Sequence, residues 1–370
     1  MLDYILNKCL QEDIISDDEI IYLLNQREKG KVEKIFSVAR KIREKYFGSK
    51  IFLYGFVYFS TYCKNDCNFC FYRKSNSISV RYRKKIDEIV ETARQLKEDG
   101  IHLIDLTMGE DKYFIDHPEY LVEMVKAVKA ATDLPVMISF GVITKELVDM
   151  MADAGADWYA LYQETHNKEL FKKLRKDQSY DERMEIKKYA KSKGILIEEG
   201  LLTGVGNKVE DTAHSFEVMK SLGASQIRTM TFVPQEGAPT KEQNETGYLS
   251  ELLNIAVMRI LFPNVLIPAS LDVDGLRGLE ERLMAGANVV TSIIPPHKGF
   301  AGVANSETDI EEGYRTIEGI QETLKKCGLK QADVEDYKAW VNSRKEMGNI
   351  KIENINYRCK TTGIRSRLSS

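Results

Sequence analysis

Residues 51–72 read Ile-Phe-Leu-Tyr-Gly-Phe-Val-Tyr-Phe-Ser-Thr-Tyr-Cys-Lys-Asn-Asp-Cys-Asn-Phe-Cys-Phe-Tyr. The apolar, aromatic and β-branched run Ile51–Phe59 has the composition and length of a buried strand. Cys63, Cys67 and Cys70 follow it at once in a C-x3-C-x2-C loop. Three thiolates in so short a loop can hold three irons of a 4Fe–4S cluster. The fourth ligand is missing, which leaves one iron open to a small molecule, and the aromatic Phe69 stands directly before the last cysteine. A structural zinc site needs four closed ligands, and no other Cys or His lies within thirty residues of the triplet. A disulfide framework belongs to small secreted chains.

Outward from this loop the chain alternates. Short apolar runs at Ile51–Phe59, Ile101–Thr107, Val136–Phe140, Trp158–Gln163, Leu196–Leu202, Gln226–Phe232, Val265–Leu271 and Asn288–Ile293 read as strands. Amphipathic segments of helical period separate most of them: Ile86–Lys97, Leu121–Ala131, Lys145–Ala154, Glu182–Lys193, Thr212–Leu222 and Leu249–Leu261. Eight strands with intervening helices are the count of an α/β protein built as a parallel (βα)8 barrel, and the cysteine loop then sits after strand one, where such barrels carry their chemistry. The sequence divides into an N-terminal helical extension over 1–50, which contains the capping box Ser16-Asp-Asp-Glu19, the barrel over 51–330, and a C-terminal helix and basic tail over 331–370. A helix is expected over Glu311–Lys326, and periodicity is lost from about Asn342.

The bulk composition excludes several classes. A chain of 370 residues with 43% hydrophobic and 29% charged residues is an ordinary globular protein. Its net charge of −3 argues against nucleic acid as the main partner. Met1–Asp13 turns acidic before any signal-peptide core forms, and no apolar stretch reaches membrane-spanning length. The expectation is a cytoplasmic, reducing setting.

Side chains alternate faces along a strand, so parity selects the polar residues that can share a barrel mouth. Asp105 and Thr107 share a face of strand two, which ends in Glu110. Strand three ends at Ser139, strand four carries Tyr162 and Glu164, strand six Arg228, strand seven Ser270 and Asp272, and strand eight Thr291. Each alone could be a solvated loop polar or a structural ion pair. Together, Asp105, Asp272 and Arg228 would converge on a small interior, where unpaired charge costs several kcal/mol per ion. A zwitterionic amino acid with a second ammonium matches this set, since Arg grips a carboxylate in bidentate fashion. Gly200, Gly204 and Gly206 either let backbone approach a flat ligand or simply form a tight turn. Arg183 either reaches a ligand carboxylate or lies exposed on its helix.

The cysteine loop, Asp-Leu-Thr-Met-Gly-Glu-Asp (105–111), Ala-Leu-Tyr-Gln-Glu-Thr (160–165), Thr-Phe-Val-Pro-Gln-Glu-Gly (231–237), Ile-Pro-Ala-Ser-Leu-Asp (267–272) and Gly-Ala-Asn-Val-Val-Thr-Ser-Ile (286–293) closely resemble the 3-methylornithine synthase family. These are radical S-adenosylmethionine (SAM) enzymes of the biotin synthase-like group. The resemblance runs from about Leu23 to Ala332, and Phe140 departs from it where proline is expected. It implies a (βα)8 barrel of radical SAM type, with Cys63, Cys67 and Cys70 on a 4Fe–4S cluster and SAM on its open iron. It also implies isomerisation of L-lysine to 3-methylornithine, the first step towards pyrrolysine, by a radical generated on SAM, with no side chain as the catalytic group. Phe69, Glu110, Ser139, Tyr162, Glu164 and Arg183 become expected SAM contacts, and Asp105, Arg228, Ser270, Asp272 and Thr291 expected lysine contacts. A one-electron reductant such as flavodoxin or ferredoxin is the implied partner. Two rivals are another radical SAM reaction of this group, such as cofactor maturation, and a non-catalytic iron–sulfur electron carrier or sensor. Biotin synthase itself would need further barrel cysteines, which this chain lacks.

Overall fold

Eight strands run parallel: β1 (Lys50–Ser60), β2 (Leu103–Met108), β3 (Val136–Ser139), β4 (Trp158–Ala160), β5 (Leu196–Thr203), β6 (Gln226–Thr231), β7 (Pro268–Ser270) and β8 (Val289–Ile293). The computed structural model describes residues 1–241, 247–303 and 310–349. The strand order β6-β5-β4-β3-β2-β1-β8-β7 is that of a barrel cut between β6 and β7. At the cut only the strand starts meet, where Ile227 N–H donates to Leu266 O at 3.0 Å and Leu266 N–H to Ser225 O at 3.1 Å. The barrel is therefore closed at its base and nearly closed above.

The pleat sorts the strand residues. Phe52, Tyr54, Leu103, Met137, Trp158 and Leu196 pack together as one cluster, while the alternate residues Leu53, Ile104, Ile138, Tyr159 and Ile197 join the larger core with the surrounding helices. On β2 and β4 the inner residues Leu103 and Trp158 share the face of Asp105, Thr107 and Tyr162, as the expected parity requires. The helix Val334–Asn349 seals the base: Tyr337 and Val341 join the inner cluster, and Trp340 stacks on Trp158 at 5.9 Å. Tyr337 shares a 2.8 Å hydrogen bond with Tyr54, whose hydroxyl also meets Gln226 Oε1 at 2.8 Å. A two-residue strand β9 (Lys330–Gln331) pairs with the start of β1 and delivers this helix.

The helices Leu2–Gln11, Asp17–Leu24 and Lys29–Phe47 precede the barrel. Ser16 and Glu19 form the expected capping box, with Ser16 N–H donating to Glu19 Oε2 at 2.7 Å. The third of these helices packs on Gly247–Leu261, and its buried Arg43 donates to Leu283 O at 2.5 Å and Ala287 O at 3.0 Å. It thereby braces the outside of the β6–β7 cut.

Two boundaries differ from the sequence reading. The helix expected from Glu311 has its regular body at Ile317–Lys326, where Thr316 caps it by accepting from Gly319 N–H. Regular structure does not end near Asn342 but continues to Asn349, because Tyr337 and Val341 are held in the barrel base. The rest of the expected basic tail, residues 350–370, lies outside the described residues.

Candidate active site

A cavity of about 980 Å³, its open mouth included, occupies the C-terminal ends of the strands. Asp105, Arg228 and Asp272 stand on its wall together with Phe69, Cys70, Ser139, Tyr162 and Glu164. All three charged groups are buried. One enclosure thus joins the cysteine loop to the charges that the sequence places on β2, β6 and the end of β7.

These charges are already partly matched. Arg228 Nε donates to Glu198 Oε1 at 2.7 Å, and Glu198 Oε2 accepts from the Tyr162 hydroxyl at 3.0 Å. The Arg228 guanidinium lies 5.4 Å from the Tyr162 ring centre, yet its Nη2 is buried without a partner. An orphaned guanidinium nitrogen is costly unless an acceptor arrives. Burial, reinforced by the Glu198 carboxylate, pushes Asp105 up to about 7 against the pull of Arg228. Thr107 donates to Asp105 Oδ1 at 2.9 Å. Asp272 is held from both sides: Arg315 Nη1 (3.0 Å) and Val303 N–H (3.3 Å) reach Oδ1, while Ser292 (2.5 Å) and Ser270 (3.3 Å) reach Oδ2.

The cysteine loop carries a different set of donors. Cys67 Sγ accepts from Gln178 Nε2 at 3.0 Å and from Arg175 Nη1 at 3.7 Å, and Cys63 Sγ from Asn65 N–H at 3.5 Å. Burial pushes the Cys63 thiol up to about 11 and raises Cys70 as well, so these sulfurs await a cation before they ionise. All three are free thiols. Among the described residues no group of three or more His, Cys, Asp or Glu side chains is arranged to hold a single metal ion. Cys67 is buried with donors on its sulfur, Cys63 accepts from backbone, and Cys70 stands on the cavity wall, which together fit a larger cluster with an open corner.

The Radical SAM superfamily profile matches residues 57–218. The chain is 46% identical over 331 residues to a 3-methylornithine synthase of Methanosarcina acetivorans, covering 90% of this chain and 94% of that one. The crystal structure of a methylornithine synthase superposes with a TM-score of 0.87 at 44% identity, over 91% of this chain and 99% of the other. The chain belongs to the 3-methylornithine synthase family of radical SAM enzymes. The hydrogenase maturase subunit HydE of Thermotoga maritima is 31% identical, over 72% of this chain and 77% of its own.

Within this radical SAM barrel some expected contacts stand behind the cavity wall. Arg183 is neither exposed nor on the wall: its three nitrogens donate to Gln163 Oε1 (3.1 Å), Gln178 Oε1 (3.2 Å) and Tyr162 O (2.7 Å). Glu110 is turned the same way, accepting from Val142 N–H at 3.1 Å beside Arg183 at 3.6 Å and Lys64 at 3.3 Å. Gly141 permits this approach, since a Cβ there would meet Glu110 Cγ at 2.0 Å. Ser270 reaches Asp272 and Thr291 Oγ1 is buried without a partner, and neither residue is part of the cavity lining. Gly200 lines the cavity and also makes room for the Tyr162 ring, 2.7 Å from a would-be Cβ.

Other residues of this radical SAM site escaped sequence reasoning. Glu198 and Arg315 neutralise the charges that looked unpaired, and Ser292 meets Asp272 through a left-handed backbone at φ 67°. Glu164 shares that conformation, also at φ 67°, and is bound by Arg175 at 2.6 Å. Strained non-glycine residues concentrate at functional sites. The mid-strand acids Glu198 and Glu199 were the readable signal: carboxylates inside a buried strand demand partners. Among the described residues no helix is long and apolar enough to cross a membrane.

Proposed function

We propose that this protein isomerises L-lysine to 3-methylornithine in a cytoplasmic, reducing compartment. The observation that carries the proposal is the single cavity joining Cys70 and Phe69 to Asp105, Arg228 and Asp272. Cys63, Cys67 and Cys70 would hold the 4Fe–4S cluster, and SAM would occupy its open iron beside Ser139, Tyr162 and Glu164. When bound, the cluster and SAM supply the one-electron chemistry that generates a carbon radical. The protein's own residues bind and confine. Arg228 Nη2 receives the lysine carboxylate, while Asp105 and Asp272 accept from its ammonium groups. Glu198, Arg315, Ser270 and Ser292 hold those three in place; Arg183 and Glu110 brace Tyr162 and the loop after β3. Lysine and 3-methylornithine share one formula, so the isomerisation breaks one carbon–carbon bond and forms another with no atom gained or lost, and the cavity has to keep the two pieces at bonding distance. Exposed Lys64, Lys74, Lys172 and Lys173 surround the cysteine loop, whose Asn68 N–H bonds Leu174 O at 2.8 Å. They support an acidic electron donor of the flavodoxin or ferredoxin class.

Norleucine, which lacks the terminal ammonium, tests the reading. Hydrogen bonds to charged groups contribute about 1.5–3 kcal/mol, so norleucine should bind on the order of ten- to a hundredfold more weakly than lysine in calorimetric titrations with SAM present. Equal affinities would show that no second ammonium is read.

Asp105 gives the site a pH signature. Its carboxyl, ordinarily at 3.8, is raised to about 7 in the folded, ligand-free protein. The folded state therefore keeps a proton that the unfolded chain releases. The resulting stabilisation is full below 3.8 and is lost as pH rises through 7. Asp105→Asn should make the ligand-free protein more stable than wild type at pH 8, by up to about 4 kcal/mol, with no gain at pH 3.5. Lysine affinity should fall in wild type as pH drops from 7 to 6, since the ammonium needs the ionised carboxylate. Denaturant melts and titrations at these pH values check both.

A further inference from the structure

Gln178 stands outside the cavity wall, yet its amide Nε2 donates to Cys67 Sγ at 3.0 Å. The amide can point only one way. Gln178 Oε1 accepts from Arg175 Nη1 at 3.4 Å and from Arg183 Nη1 at 3.2 Å, and two cations on one side require the oxygen there and the NH2 group toward the sulfur. Both arginines are themselves fixed. Arg175 is tied to Glu164 at 2.6 Å, and Arg183 to Gln163 Oε1 at 3.1 Å and Tyr162 O at 2.7 Å. Behind them Glu199, fully buried and paired with Lys187, accepts Gln163 N–H at 2.8 Å and Gly200 N–H at 2.9 Å. A chain of oriented groups thus runs from the back of β5 to one cysteine sulfur.

We infer that Gln178 is a tuning residue whose hydrogen bond to Cys67 raises the reduction potential of the cluster. The inference rests on the reading that the three cysteines hold a 4Fe–4S cluster. Reduction adds one electron from an external one-electron donor, breaks no bond and makes the sulfurs more negative. An N–H dipole fixed on a sulfur stabilises the reduced form more than the oxidised one, and hydrogen bonds to sulfur are among the determinants of such potentials. The positive ends of Arg175 and Arg183 act on Gln178 in the same sense by polarising its amide. Gln178 touches no reacting atom; it acts through Cys67.

The test is a potentiometric titration of the reconstituted holoprotein, followed by the electron paramagnetic resonance signal of the reduced cluster. Gln178→Leu removes the donor at similar size. Gln178→Glu keeps the acceptor for both arginines but replaces the donor with a negative charge. At a fixed solution potential the reduced-to-oxidised ratio should fall about threefold to tenfold in Gln178→Leu, tenfold being about 59 mV for one electron, and further in Gln178→Glu. Iron content should stay at the wild-type level. An unchanged potential in both fully loaded variants would overturn the inference. A wild type that binds no cluster would instead defeat the underlying reading. If a variant cannot hold its cluster, wild-type protein with 15N-labelled glutamine side chains decides: a 15N hyperfine coupling on the reduced cluster supports the contact, and its absence refutes it.

Discussion

Cys67→Ala is expected to abolish cluster loading and SAM cleavage together while the protein remains folded. Cys67 is buried in a loop whose backbone is held by independent bonds, among them Asn68 N–H to Leu174 O at 2.8 Å and Lys74 N–H to Asn65 O at 2.8 Å. The loop therefore survives loss of the thiol, but one iron loses its ligand. Loss of a partner that merely orients a metal ligand costs roughly 10–100-fold in affinity, and loss of the ligand itself should cost more. Cys63→Ala and Cys70→Ala should behave alike. Cys9 lies in the core among the N-terminal helices and Cys327 at the end of the helix Ile317–Lys326; alanine at either should leave iron content intact. Iron analysis and the rate of 5′-deoxyadenosine release check the prediction, and full loading in Cys67→Ala would refute the assignment.

The second large effect concerns Arg228. Arg228→Met removes the guanidinium from Glu198, which is fully buried. Breaking a buried pair by deleting one partner costs about 3–5 kcal/mol, because the other charge is left uncompensated. Adding Glu198→Gln should recover most of that stability, since the orphaned charge is gone. Lysine-dependent turnover should not return, because the free Nη2 that would receive the carboxylate is still missing. Arg228→Lys keeps the charge but lacks the planar fork that serves Glu198 and a ligand at once, and it too should lose turnover. Denaturant melts and product assays separate the two consequences. A double variant that regains turnover would place the lysine carboxylate elsewhere.

The barrel was legible because short apolar runs and amphipathic segments of helical period alternate from Ile51 onward, and the run before Cys63 marks the strand whose end carries the loop. The seal at the base was not legible. Tyr337, Trp340 and Val341 read as scattered apolar residues until the helix Val334–Asn349 is seen to bury them against Tyr54 and Trp158. In the site, strand parity placed Asp105, Arg228 and Asp272 on one cavity. Their neutralising partners were hidden for a physical reason. Arg315 lies 43 residues from Asp272, and Glu198 lies 30 from Arg228, so only the closed barrel brings them together. Arg183 and Glu110 show the converse limit: the residue types suit a ligand, but Gln163, Gln178 and Val142 already satisfy them.

The most direct test is to incubate the reconstituted, reduced protein with SAM and uniformly 13C-labelled L-lysine and to analyse the amino acids by mass spectrometry. The account predicts labelled 3-methylornithine with all six carbons retained, formed in excess over the SAM consumed, because an isomerisation returns its hydrogen and needs no net electrons. SAM cleavage without a labelled isomer of lysine would contradict it.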